Sequence, residues 1–229
     1  MIITLVEAKT LPEAWFLLIK GLNNPKGVRT YTIDRGSFAG QKRLEYDAVS
    51  VNIEYPGSRP LVPDVPLGVP PPSTQDYVDG YMAYLTTGAK KKGEDYTYGD
   101  DIEEQIFQVI DMYKTDGHNT NQAFMAVGDR NSLRLRDPQC LRMIDTRISY
   151  GKLSFIVYFR SWDLWAGFPS NMAAIQILKE YMAKEIGVKD GSLIAFSKGL
   201  HLYDHCWELG NLVLRNGNLG HDVTDDSGR

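Results

Sequence analysis

Prolines concentrate in one short segment of this 229-residue chain and limit what it can fold into. Seven of its eleven prolines lie between residues 56 and 72, at Pro56, Pro60, Pro63, Pro66, Pro70, Pro71 and Pro72. Because proline lacks a backbone N–H and fixes φ, neither a helix nor a central strand can continue through this run. The segment could be a linker, but its interspersed apolar residues favour a path along the core: Leu61, Val62, Val65, Leu67 and Val69.

Periodic patterns on both sides of the proline run predict helices and strands. Thr10 and Glu13 form a capping-box pattern that predicts a helix over 10–21. Apolar residues at helical spacing predict further helices over 74–86, 101–114 and 171–186, with a last one from 204. Alternating apolar residues predict strands over 44–55, 122–129, 152–160 and 192–197.

The order of these elements indicates the fold class. Helices and strands are mixed without regular alternation, which predicts an α+β fold, and the length suits one domain, which we place over residues 1–215. The remaining residues, 216–229, are polar, and we expect them to form a flexible tail.

The amino-acid composition limits the kinds of function that we expect of this chain. No apolar run approaches the roughly 18 residues that span a bilayer, and the first residues do not read as a signal peptide. Two cysteines without a disulfide framework fit a reducing cytoplasm. The net charge of -4 gives no global reason to bind nucleic acid, so any anion site must be local and made by a few arginines in a pocket.

Cys140, in the stretch RDPQCLRMID, has two interpretations. A free cysteine is commonly a small buried hydrophobic residue. A thiol beside Arg136 and Arg142 could instead be a nucleophile, because neighbouring cations favour the thiolate. Cys140 alone does not decide between them.

Each polar cluster downstream of Cys140 also has an ordinary structural interpretation when it is considered alone. Arg160 and Asp163 could be a surface ion pair, and Asn171 could cap a helix. His201 and His205 stand four residues apart, with Asp204 and Cys206 beside the second histidine, and on a helix that spacing could bind zinc.

Taken together, these clusters resemble the thymidylate synthase family. The family carries a Pro-x-Cys or Pro-Cys motif, then Arg-Ser-x-Asp, then Gly-x-Pro-x-Asn and His-x-Tyr. In this chain the matching residues are Pro138 and Cys140; Arg160, Ser161 and Asp163; Gly167, Pro169 and Asn171; and His201 with Tyr203. The stretches DPQCLRMIDTRI and FRSWDLWAGFPSN are most similar to the short archaeal branch of the family.

The resemblance implies a mixed sheet covered by helices and a role for each matched residue. Cys140 would attack C6 of the uracil of dUMP, and Arg35, Arg160 and Ser161 would bind the phosphate. Asn171 would read O4 and N3 of uracil, because a carboxamide offers both a donor and an acceptor. His201 and Tyr203 would hold the ribose 3′-hydroxyl, and Asp163 would bind the pterin.

The resemblance also implies the substrates, the assembly and the rival activities. The one-carbon donor would be 5,10-methylenetetrahydrofolate or methylenetetrahydromethanopterin, without a metal, and the protein would be a homodimer. One alternative on the same fold is a dUMP or dCMP hydroxymethylase, in which water traps the methylene group. A second alternative is a non-catalytic nucleotide-binding protein.

This chain departs from the better-known members of the family at several positions. Leu141 replaces a histidine after the nucleophile, and Phe159 replaces a glutamine before Arg160. Asn121 and Gln122 stand where those members donate two arginines to the partner's phosphate site, so substitutes are sought at Arg130, Arg134 and Arg136.

This leaves candidates for two further chemical roles, the general base and the stabilisation of the Cys140 thiolate. The family's general-base glutamate aligns with Gly80, which leaves the adjacent Asp79 as a candidate base. Tyr98 lies in a matched Tyr-Gly pair. Arg136, Arg142 or a phosphate-binding arginine would stabilise the thiolate of Cys140.

Overall fold

The computed structural model describes residues 1–215 and Leu219, and it contains two sheets and a set of helices. The strands are β1 Ile3–Ala8, β2 Val28–Thr32, β3 Lys42–Tyr46, β4 Ala48–Ile53, β5 Phe124–Ala126, β6 Leu141–Ser149, β7 Lys152–Phe159, β8 Trp162–Asp163, β9 Lys189–Ser197 and β10 Leu200–Tyr203. The α-helices are α1 Leu11–Gly21, α2 Gln75–Thr86, α3 Gly99–Thr115, α4 Gly167–Ile186 and α5 Trp207–Leu214. Short 3₁₀ turns lie at Ser132–Arg134 and Asp204–Cys206.

The larger sheet is mixed and has six strands in the order β1-β4-β9-β7-β6-β5. β1 and β4 are parallel, as are β7 and β9, whereas the other neighbours are antiparallel. One face of this sheet packs on the helices. The expected α+β class and the mixed sheet covered by helices are therefore confirmed.

Helix α4 organises the core behind the sheet. It packs against β7 and β9 and also against α1, α2 and α3. Its buried side chains include Phe168, Met172, Ile175 and Leu178. Gly187 ends the helix in the left-handed conformation, with φ of 86°, as the sequence predicts.

The smaller sheet has four strands in the order β2-β3-β10-β8. The sequence predicted one strand over 44–55, and this prediction was wrong, because the chain leaves the smaller sheet after β3 and enters the larger sheet at β4. Asp47 lies at the break, where its backbone N–H donates to the carbonyl of Gly27 at 2.8 Å. The alternation of apolar residues changes phase at the break, from Leu44 and Tyr46 to Val49, Val51 and Ile53, and this change is the signal that the sequence offered.

Other element predictions differ in their limits. α1, α2, α3 and β7 lie within two residues of the expected ranges. β1, β2 and β6 were not predicted, and β5 is shorter than the expected 122–129. α4 begins four residues before the expected start. The reason is that the Asp163 carboxylate accepts hydrogen bonds from the backbone N–H groups of Ala166, which precedes the helix, and Gly167, which begins it.

The proline-rich segment lies along the core, as expected. Leu61 and Val69 are buried, and Val62 and Val65 pack against the core, whereas Leu67 is exposed. The expected flexible tail lies outside the described residues, apart from Leu219, which is buried. No helix of the described part is long and apolar enough to cross a membrane.

Candidate active site

A cleft of about 810 Å³ lies between the polar face of the smaller sheet and the loop that carries Cys140. It is lined by the expected Cys140, Arg35, Arg160, Ser161 and Tyr203. It is also lined by residues that the sequence did not single out, namely Arg29, Tyr31, Ser37, Phe38, Arg43, Glu45, Asp47, Tyr96, Asp137, Lys198 and Gly199. The structure thus brings five of the expected residues to one cavity.

Cys140 ends the loop before β6, and Arg160 fixes that loop. The backbone N–H of Arg160 donates to the Cys140 carbonyl at 2.9 Å. Its side-chain Nε donates to the carbonyls of Pro138 and Gln139 at 3.2 and 3.1 Å. On the other side, the N–H of Leu141 donates to the Tyr98 hydroxyl at 3.3 Å. Both contacts hold the thiol at the cleft wall.

The electrostatic surroundings of Cys140 differ from the sequence expectation. Burial raises the pKa of the thiol above its ordinary value, although the charges of Arg160 and Arg43 lower it. The thiolate is therefore a minor species at neutral pH. Of the candidates for this role, Arg136 is exposed, and Arg142 donates to the Gln139 side chain at 3.3 Å. The charges that act on the thiol are those of Arg160, which the third alternative allowed, and Arg43.

Cross-strand register explains why the smaller sheet presents a polar wall. β3 pairs Arg43 with Tyr31 and Tyr203, and it pairs Glu45 with Arg29 and His201. The Glu45 carboxylate, only 3% exposed, accepts hydrogen bonds from Arg29 and Tyr31, both at 2.9 Å. Arg43 donates to the hydroxyls of Tyr31 at 3.3 Å and Tyr203 at 3.5 Å.

His201 lies next to this wall and is 1% exposed. Its Nδ1 is 2.9 Å from the Gly199 carbonyl, which can only accept, so we assign the hydrogen to Nδ1. Nε2 is then a buried acceptor without a partner among the described residues. Burial, with the nearby charge of Arg43, lowers the pKa of His201 to about 3. The imidazole is neutral and can accept a hydrogen bond from a hydroxyl.

Asn171 does not line the cleft, and protein groups already bind both ends of its carboxamide. Its Oδ1 accepts from Trp162 Nε1 at 2.9 Å, and its Nδ2 donates to the Tyr81 hydroxyl at 2.8 Å. Trp162 and Phe168 pack beside it, with ring centroids 4.7 Å apart. The carboxamide is therefore held in one orientation before any ligand binds.

Asp163 also lies outside the cleft, at the start of α4. Its carboxylate accepts from the backbone N–H groups of Trp165, Ala166 and Gly167 at 3.1, 3.0 and 3.0 Å. The structure therefore shows Asp163 as the residue that caps the start of α4, and its expected contact with the pterin stays a prediction.

The loop that carries Arg35 is tied to the loop that precedes Cys140. Arg35 Nη2 donates to the Leu135 carbonyl at 3.3 Å, and the Ser37 backbone N–H donates to Asp137 at 3.1 Å. This contact brings Arg35 to the cleft. Arg130, Arg134 and Arg136 are exposed, and none of them lines the cleft of its own chain.

The structure places the candidate base Asp79 away from the cleft. Its side chain is exposed on α2, where it accepts from Gln75 Nε2 at 2.7 Å, and it lines neither the cleft nor the neighbouring cavity. Successive residues of an α-helix point about 100° apart around its axis. Asp79 therefore points away from the side of α2 that carries Tyr81, whose hydroxyl contacts Asn171.

A second cavity of about 550 Å³ lies beside α2, and its wall includes Tyr77, Tyr81, Tyr84 and Tyr98. The ring of Tyr84 packs against those of Tyr81 and Tyr98, with centroids 5.4 and 5.2 Å away, and Tyr96 packs against Tyr98 at 6.0 Å. The Tyr98 hydroxyl accepts from the N–H of Leu141, so Tyr81, Tyr84, Tyr96 and Tyr98 form one group that contacts the residue after Cys140. These four residues are called the tyrosine cluster below.

The sequence could have indicated some of the cleft residues that were not predicted. Alternation in RTY and in KRLEY predicts that Arg29 and Tyr31, like Arg43 and Glu45, share one face of a strand. The pattern could not show which strands pair. The tyrosine cluster draws on α2 and on the segment before α3, so only the packing of the helices brings it together.

The zinc reading of His201 and His205 assumed a helix, and that assumption was wrong. His201 lies in β10, and His205 lies in the following 3₁₀ turn. Among the described residues, no group of three or more histidine, cysteine, aspartate or glutamate side chains could hold a metal ion.

The buried neutral state of His201 predicts a pH-dependent loss of stability. The unfolded imidazole binds a proton near pH 6.5, but the folded one does so only near pH 3. Stability should therefore be lost as pH falls through this interval, by about 1.4 kcal/mol per pH unit. Urea unfolding between pH 7 and pH 4 measures the slope.

His201→Gln should remove this one-proton slope, whatever its effect on stability at pH 7. The matched control is His205→Gln, at a side chain that is 60% exposed, and it should keep the wild-type slope. Equal slopes in the wild type and His201→Gln would contradict a neutral buried imidazole.

Comparison with known proteins identifies the family. The sequence model of the family described as "Thymidylate synthase" matches residues 82–218, which is more than half of the chain. A Methanosarcina barkeri protein named "Putative thymidylate synthase" is 26% identical over 93% of this chain and 96% of its own length. A Listeria monocytogenes protein named "Thymidylate synthase" is 28% identical over 44% of this chain and 32% of its own length. This chain therefore belongs to the thymidylate synthase family.

Proposed function

We propose that the protein is a thymidylate synthase that methylates dUMP to dTMP through a covalent bond between Cys140 and C6 of uracil. The observation that carries this proposal is the shared cleft of Cys140, Arg160, Ser161 and Arg35. A thiol and several arginines on one wall suit a nucleotide whose phosphate and base bind at different points.

Local charge supports phosphate binding by a chain that is acidic overall. Five basic side chains line the cleft: Arg29, Arg35, Arg43, Arg160 and Lys198. The acidic side chains there are bound to protein groups, because Glu45 contacts Arg29, Asp47 accepts from the Ile2 N–H, and Asp137 accepts from Ser37. The basic residues thus exceed the carboxylates that oppose them.

The remaining site residues have chemistry that suits the ribose and the base. His201 Nε2 is a buried acceptor, and the Tyr203 hydroxyl lies on the cleft beside Arg43, so both can bind a ribose hydroxyl. Asn171 is held in one orientation, and each end of its carboxamide keeps one unused hydrogen-bonding site for uracil. The resemblance implies that an asparagine at this position suits uracil, whereas an aspartate would suit cytosine.

The reaction follows from the nucleophile. Attack of the Cys140 thiolate on C6 moves the C5=C6 electron pair toward O4 and makes C5 nucleophilic. C5 then bonds to the methylene carbon of the reduced folate or pterin. Both C–N bonds that held the methylene carbon break with their electron pairs taken by nitrogen, and loss of the C5 proton leaves an exocyclic methylene group on the ring. Hydride transfer from the released pterin, which is oxidised to its dihydro form, and elimination of the Cys140 sulfur yield the methyl group of dTMP.

The test is product analysis with purified protein, dUMP and either 5,10-methylenetetrahydrofolate or methylenetetrahydromethanopterin. We expect dTMP by mass spectrometry with one of these donors, and Cys140→Ser should lower its formation at least about 10³-fold while the protein still binds dUMP. Cys206→Ser, at the other free thiol, is the control and should retain activity.

The same assay separates the rival functions. Formation of a hydroxymethylated nucleotide, which is heavier than dTMP by one oxygen, would show that the protein is a hydroxymethylase and not a synthase. Binding of dUMP without any product from either donor would favour a non-catalytic nucleotide-binding protein.

We also propose a homodimer through the outer face of the larger sheet. Register places one row of Leu5, Ser50, Phe196, Tyr158 and Met143 across this face. Leu5 is 67% exposed and Phe196 is 42% exposed. A broad apolar face without a covering layer in the described part of the chain suits a second copy, as the family resemblance implies.

Light scattering tests the dimer. The wild type should have the mass of two 25.8-kDa chains, and Phe196→Asp should reduce it to one, because an unpaired charge would be buried in the interface. Leu133→Asp, at an exposed leucine outside the sheet, should leave the dimer intact. A wild-type monomer at micromolar concentration would contradict the proposed assembly.

A further inference from the structure

The hydrogen bonds of Asn171 determine how the Tyr81 hydroxyl is oriented. Indole Nε1 of Trp162 can only donate, so the Asn171 atom that faces it at 2.9 Å must be the oxygen. The amide nitrogen therefore faces Tyr81 and donates to its hydroxyl oxygen at 2.8 Å. Because the Tyr81 oxygen is an acceptor in this contact, its own hydrogen remains free to be donated.

The position of this hydroxyl suits a role beside the nucleophile. Tyr81 lies on α2 in the wall of the second cavity and belongs to the tyrosine cluster, in which the Tyr98 hydroxyl binds the N–H of Leu141, next to Cys140. Its ring packs against Tyr84 with centroids 5.4 Å apart. Burial raises the pKa of Tyr81 well above its ordinary value, so the hydroxyl stays protonated at physiological pH. Such a neutral hydroxyl can donate a hydrogen bond to an oxygen on which negative charge develops.

The proposed reaction needs a donor at this place. When sulfur bonds to C6, negative charge develops on O4, and a hydrogen-bond donor in a buried site stabilises it. The resemblance implies that Asn171 binds near O4, and Tyr81 is in direct contact with Asn171. The expected carboxylate Asp79 is exposed, and the carboxylates of the cleft are bound to other protein groups.

We propose that Tyr81 is a catalytic residue whose hydroxyl donates a hydrogen bond to O4 of the uracil ring, with Asn171 as the positioning residue. The inference rests on the proposed attack of Cys140 on dUMP. As the sulfur–C6 bond forms, the C5=C6 pair moves into the C4–C5 bond and the C4=O4 pair moves onto O4, where the Tyr81 hydroxyl stabilises the negative charge. When C5 bonds to an electrophile, the electrons return to C4=O4 and this charge is lost.

Exchange of the C5 hydrogen of dUMP in D₂O tests this step without a one-carbon donor. Attack on C6, deuteration of C5, loss of the original hydrogen and elimination of the sulfur return dUMP that is one mass unit heavier. Tyr81→Phe keeps the ring and removes only the hydroxyl. We expect its exchange rate at saturating dUMP to fall about 10²-fold, with the dissociation constant for dUMP within about threefold of the wild type.

The matched control is Tyr77→Phe, on the same helix, whose ring lies 6.4 Å from that of Tyr81. It removes an exposed hydroxyl that does not contact Asn171 and should exchange at the wild-type rate. Near-UV circular dichroism verifies the fold of both variants. As a second variant, Asn171→Ala should weaken dUMP binding and slow exchange, because it removes the group that orients both the base and Tyr81.

The outcomes separate this inference from the proposed function. Wild-type exchange at saturating dUMP in Tyr81→Phe would overturn the catalytic role, and weaker dUMP binding alone would reduce Tyr81 to a support for Asn171. Absence of exchange in the wild type would overturn the Cys140 mechanism together with the role of Tyr81. Exchange in the wild type without a methylated product would overturn the synthase proposal and leave the role of Tyr81 in place.

Discussion

The site depends on the hydrogen bonds by which Arg160 binds the loop before β6. One residue at the end of β7 contacts the carbonyls of Pro138, Gln139 and Cys140, through both its backbone N–H and its side chain. Buried carbonyls need such partners, and a guanidinium offers several donors in a fixed geometry. The same side chain lines the cleft and lowers the pKa of the thiol. Arg160 therefore both fixes the loop that carries Cys140 and sets part of the electrostatic surroundings of the thiol.

Cys140 stands between two unlike environments. On one side, the smaller sheet presents arginines, Glu45 and tyrosine hydroxyls linked by hydrogen bonds. On the other side, the tyrosine cluster offers aromatic rings and protonated hydroxyls. The first environment suits an anion, and the second suits a flat ring and the charge that develops on it. Burial outweighs the arginines in setting the thiol pKa, so thiolate formation is expected to be coupled to substrate binding rather than complete beforehand.

Sequence analysis was most informative where a pattern is local. The Thr10 hydroxyl accepts from the Glu13 N–H at 3.3 Å, as a capping box requires, and Gly187 ends α4 as expected. The motif residues Cys140, Arg160 and Ser161 meet at one cleft. The errors came from long-range structure. Asp47 separates two strands of different sheets at a change of phase in the apolar pattern, which was interpreted as a single strand.

The unpredicted residues were missed for the same physical reason. Arg43 acquires its role from β2 and β10, which are distant in sequence but adjacent in the sheet. Tyr81 acquires its role from α4, because α2 packs against that helix and brings Asn171 to its hydroxyl. Neither partner can be read from neighbouring residues. Both follow from helix packing and strand order, which depend on the whole chain.

The central claim is that one cleft holds the phosphate of a nucleotide against the arginines and its base against Cys140. A crystal structure of the protein with dUMP tests this most directly. The account predicts density for the phosphate at Arg35, Arg160 and Ser161, with uracil C6 beside the Cys140 sulfur. A nucleotide bound with its base away from Cys140, or in another cavity, would contradict it.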